Sequence, residues 1–75
     1  MNFTYDKEAN KLGQLIRAKR KELGMTQSDV AKEIGVCMQH YSRIERGIYI
    51  PSLQTFLALS HFLGINAADV EIQVH

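Results

Sequence analysis

Gln39 and Arg43 stand four residues apart, and each side chain offers two hydrogen-bonding groups in one plane. At that spacing on a helix they share a face, one turn apart. Planar two-point donors and acceptors match base edges in the DNA major groove: glutamine with adenine, arginine with guanine. Met38, His40 and Ser42 lie beside them. Met38 has the apolar reach for a thymine methyl. His40 and Ser42 suit phosphate or secondary contacts. Two competing uses are open. Arg43 could instead form a surface ion pair with Glu33 or Glu45, and His40 could be an idle surface residue.

These side chains need a rigid element behind them. Residues Gln27 to Arg46, QSDVAKEIGVCMQHYSRIER, read as two short helices joined by a tight turn. Val30, Ile34, Val36, Tyr41 and Ile44 recur at inward positions. Ala31 is small enough for the second helix to cross closely over the first. Gly35 supplies the positive φ that a helix C-terminus wants. Thr26 with Asp29 three residues on reads as a capping box. Gln27 then begins a helix whose free N–H groups and dipole favour an anion. A first helix is predicted over Lys11–Leu23, with Leu12, Leu15, Ile16 and Leu23 on or near one face, ended by Gly24. The third runs from Met38 to Arg46. The chain is extended before Pro51, and Ser52 caps a fourth helix that stops at Gly64. Its expected inner stripe is Leu53, Phe56, Leu57, Ser60 and Leu63. Asn66 caps a short fifth helix. The end, V-E-I-Q-V-H, alternates apolar and polar residues, so either a helix running into a tail or a true strand is open.

Composition narrows the classes. Seventy-five residues make one small domain, divided here into a polar arm (1–10), a helical domain (11–69) and a tail (70–75). A chain of this size buries only about 60% of its unfolded surface, so dimerisation is expected to help it. Nothing approaches a membrane span. The N-terminus has no signal-peptide core, and Cys37 alone cannot form an internal disulfide; a cytoplasmic location is expected. The formal net charge of +1 hides a segregation. Residues 11–46 carry eight Lys and Arg against four Asp and Glu, while residues 47–75 carry only Asp69 and Glu71. Positive charge therefore sits on residues 11–46, the segment that contains the two-helix pattern, as phosphate binding requires. Lys11, Lys19 and Lys21 could equally be a solvated helix face. His40, His61 and His75 have no metal-ligand spacing with Cys37 or a carboxylate pair. There is no phosphate-cradling glycine loop and no nucleophile motif. No enzyme, metal or cofactor is expected.

Taken together, IRAKRKELGMTQSDVAKEIGV, SRIERG and PSLQTFLALSHFLGI resemble the phage repressor and Cro-type (XRE-like) helix-turn-helix family, over roughly Leu12 to Asp69. The resemblance implies an all-α, five-helix, lambda-repressor-like bundle. Its third helix lies in the major groove of double-stranded DNA, and a homodimer reads a palindromic operator. It also implies residue roles. Gln27 clamps a phosphate, while Arg46, Tyr49 and the backbone near Ile48 bring a loop to the phosphates, unless Tyr49 packs onto the bundle. Arg20 and Glu45 form a partly buried ion pair joining the first and third helices. Phe62 and Ile65 are dimer candidates near the fifth helix, where relatives dimerise, though Phe62 could instead cover the first helix. On the alternation alone, Val70, Ile72 and Val74 as a strand would pair with a symmetry mate in a dimer or with Phe3 to Tyr5. Cys37 departs from the family, which places Ser or Thr there as a helix cap. It is either a weak cap or an oxidation sensor.

The function expected is a sequence-specific transcriptional regulator, most simply a repressor: a phage regulator, a restriction-modification controller or an antitoxin. No ligand domain is evident, so control through abundance, a partner or proteolysis is expected. The alternative is an interaction module that chiefly binds a toxin, with the Val70–Val74 alternation added to a partner's sheet.

Overall fold

The computed structural model describes residues 3–65. Within them the chain forms four helices and no strand: α1 Phe3–Glu22, α2 Gln27–Ile34, α3 Met38–Glu45 and α4 Leu53–Leu63. The bundle expected from the sequence is thus present for four of its helices. The fifth, from Asn66, and the C-terminal strand or tail lie outside the described residues.

Helix α1 begins well before Lys11, and so replaces most of the expected polar arm. No proline or glycine precedes Gly13, so the sequence holds no helix breaker there. The apolar period also reaches further back than the aliphatic residues suggest. Ala9, Leu12 and Ile16 are all buried, at helical spacing. Leu23, expected on the inner face, follows the helix and is exposed.

The α2–turn–α3 unit forms as the sequence predicts. Thr26 and Asp29 complete a reciprocal capping box. Gly35 closes α2 at φ 77°, in the left-handed region that a Cβ disfavours. Val30, Ala31, Tyr41 and Ile44 are buried, while Ile34 and Val36 pack partly against them. Helix α1 crosses α3 closely enough that a Cβ on Gly13 would sit 2.5 Å from the Glu45 carbonyl oxygen. Gly13 is therefore the contact point that lets α1 brace α3.

Helix α4 corrects the predicted stripe. Leu59 and Leu63 are the buried residues, flanked by half-buried Phe56 and Phe62. Leu53 and Leu57 are exposed. So much of LQTFLALSHFL is apolar that its hydrophobic positions do not select a face. Gln54 and His61, one heptad apart, mark the outer side. Leu59 and Leu63 lie opposite them.

Candidate nucleic-acid interface

Helix α3 buries Tyr41, Ile44 and Glu45 and turns the intervening residues outward. Gln39, Arg43 and Arg46 are exposed, Ser42 is half-buried, and Met38 is half exposed. Met38, Gln39, Ser42, Arg43 and Arg46 line one open concavity. Among the described residues the ion pair is Arg20–Glu45, so Arg43 is not tied to Glu33 or Glu45. The face is polar, cationic at its C-terminal end, and free to meet a ligand.

Arg20 and Glu45 form the centre of a buried network behind that face. Arg20 Nε donates to Glu45 Oε2 at 2.5 Å, and its Nη2 donates to Oε1 at 3.2 Å. Arg20 Nη1 donates to the Met25 carbonyl at 2.7 Å, which fixes the α1–α2 loop. The Tyr41 hydroxyl donates to Glu45 Oε2 at 2.5 Å, and Gln27 Nε2 donates to Oε1 at 3.0 Å. One carboxylate thus gathers donors from α1, α2 and α3. Burial pushes the Glu45 carboxyl up; the hydrogen bonds from Arg20, Tyr41 and Gln27, with the Arg20 charge, outweigh it and hold it below the ordinary range. The hydrogen bond to Glu45 raises the Arg20 guanidinium. Burial, followed by the Glu45 hydrogen bond, raises the Tyr41 phenol well above its usual value.

Gln27 therefore has its amide nitrogen anchored at the first position of α2. Thr26 accepts from the N–H groups of Asp29, through its hydroxyl, and Val30, through its carbonyl. The N–H groups of Gln27 and Ser28 remain the free donors of that helix start. An anion arriving there meets those donors and a preset side chain.

His40 and Tyr49 resolve together. Their rings meet edge to face, with centroids 4.7 Å apart and planes at 67°. His40 is half-buried by this contact, and Tyr49 packs onto α3 while keeping an exposed edge. Cys37 occupies the N-cap of α3 but makes no side-chain capping bond and is exposed. It does not act as a cap. Among the dimer candidates, Ile65 belongs to the core and is not free for a partner; Phe62 packs against that core. Val70, Ile72 and Val74 lie outside the described residues.

Sequence reasoning overlooked α1. Asn10, Gln14 and Arg17 line a second concavity together with Gln27, Ser42 and Arg46. The signal for them was their i, i+4, i+7 spacing on one helix face, hidden because their stretch was read partly as arm.

The Helix-turn-helix family model matches residues 16–70. The ImmF control region 10 kDa protein of Bacillus phage phi105 is 40% identical over 70 residues, covering 89% of this chain and 78% of that one. An uncharacterized HTH-type transcriptional regulator of Methanothermobacter thermautotrophicus is 44% identical over 50 residues, 67% of this chain and 72% of that one. The immunity repressor protein of phage phi105 is 37% identical over 59 residues, 79% of this chain but 41% of the repressor. The fold and the α2–turn–α3 surface are those of a DNA-binding regulator. The chain belongs to the Cro/C1-type (XRE-like) helix-turn-helix family.

Proposed function

We propose that this protein is a sequence-specific transcriptional repressor that binds a palindromic operator as a homodimer, with α3 in the major groove. The observation that carries the reading is the exposed Gln39–Arg43 face of α3, held from behind by the Glu45 network. Gln39 and Arg43 read base edges, and Met38 adds an apolar contact to a thymine methyl. Gln27, with the free N–H groups at the start of α2, fixes a phosphate and so the register. Arg46, Ser42 and the exposed edge of Tyr49 serve the backbone, and His40 holds Tyr49 in place. The similarity to phage control and repressor proteins supports repression over activation. The site of action is the cytoplasm, where the operator lies.

The test is fluorescence anisotropy of the gene's own upstream DNA against a scrambled duplex, at two salt concentrations. Tight, salt-sensitive binding that prefers the native sequence is expected. Equal weak binding to both duplexes refutes a specific regulator.

A further inference from the structure

Helix α1 carries a polar ridge beside the α2–α3 surface. Asn10, Gln14 and Arg17 are exposed on successive turns of one face. Gln14 Nε2 donates to Asn10 Oδ1 at 3.1 Å, which ties two of the three side chains together. Arg17 forms no ion pair among the described residues. The same three residues share a concavity with Gln27, Ser42 and Arg46. Ser42 and Arg46 also line the concavity that contains Gln39 and Arg43. The two hollows therefore adjoin along Ser42 and Arg46, and the Arg20–Glu45 pair lines the hollow beside α1.

The ridge is rigidly placed. Gly47 lies so close to α1 that a Cβ on it would sit 2.6 Å from the Asn10 Cα. Gly13 makes the equivalent close approach to the end of α3. These two contacts lock α1 to the C-terminal end of α3, where Arg46 stands. Arg17 and Arg46 thus flank one polar hollow without acidic partners. Glu45, the acidic group within it, is consumed by Arg20, Tyr41 and Gln27.

We propose that α1 is a second DNA-contacting element, in which Arg17 pairs with a backbone phosphate held between it and Arg46, with Gln14 donating to the same strand. This rests on the DNA-binding reading and extends it. The ligand is a phosphodiester of duplex DNA, chosen because a hollow walled by two arginines and amide side chains suits an anion on a regular backbone. Such a contact adds affinity without sequence preference, since phosphates carry none.

The experiment measures how log affinity varies with log salt for the wild type, Arg17→Gln, Gln14→Ala and Lys32→Gln, on both the upstream duplex and a scrambled one. Lys32 is an exposed cation in the last turn of α2 and lines neither hollow. Loss of one phosphate contact lowers the magnitude of the slope by about 1. Arg17→Gln is expected to do this equally on both duplexes, with several-fold weaker binding. Gln14→Ala is expected to weaken binding with little change in slope, and Lys32→Gln to match wild type. An Arg17→Gln slope equal to wild type overturns the proposal. So does an equal fall for Arg17→Gln and Lys32→Gln, which marks diffuse charge attraction. Failure of the specific-regulator reading shows separately, as a wild type that does not prefer its upstream sequence.

Discussion

Residue by residue, the surface divides into side chains that touch and side chains that hold. In the proposed complex Gln27 does both, since Glu45 fixes its amide nitrogen while its helix start faces solvent. Gln27→Ala is expected to weaken binding to specific and scrambled duplexes by the same factor, seen in parallel anisotropy titrations; a selective loss on one of them would assign it a base contact. Cys37 holds nothing: the N-cap of α3 lacks a side-chain acceptor. Cys37→Ser supplies one, so it is expected to stabilise the fold by about 0.5–1 kcal/mol in urea unfolding. The outward set on α3 was legible in the sequence because helical spacing alone separates it from Tyr41 and Ile44. The His40–Tyr49 contact was not, because it joins a helix to a loop whose path the sequence leaves open.

At the scale of the helices, Glu45 is the joint. Its carboxylate binds groups from α1, α2 and α3, so removing its charge strands Arg20 in a buried site. Glu45→Gln is expected to cost on the order of 3–5 kcal/mol, measured by urea denaturation; an unchanged midpoint would contradict the role. The same joint gives a pH dependence. Its folded carboxyl is held below the ordinary range. Its stabilisation is complete above the unfolded value, about 4.3, and is lost as pH falls through the lower folded value. Acid titration of stability should therefore lose this acid limb in Glu45→Gln. In α4, Leu59→Ala should cost about 2–5 kcal/mol as a cavity in the core. Exposed Leu57→Ala should change stability much less, within roughly 0.5 kcal/mol. The Arg20–Glu45 pair was legible only through family register, since ion pairs across a fold leave no local spacing. The α4 face was misread because leucines surround the helix. Two of its polar residues, Gln54 and His61, carried the information.

At the scale of the whole molecule, the described residues form a small helical core with one polar, cationic side. The capping box, the Gly35 turn and the apolar period of α2 and α3 all agree, which is why that part of the fold was readable. The length of α1 was not, because a polar helix start and a polar arm have similar composition. As a dimer on a palindrome, the protein should protect half-sites whose centres lie about 34 Å apart, one helical turn. Hydroxyl-radical footprinting reads that spacing. The central claim is that Arg43 reads a base, and it is tested by binding wild type and Arg43→Ala to operators substituted one position at a time. Arg43→Ala should cost about 1–3 kcal/mol and lose discrimination at one position in each half-site. An Arg43→Ala protein that binds as tightly as wild type and still discriminates at every position would contradict the account.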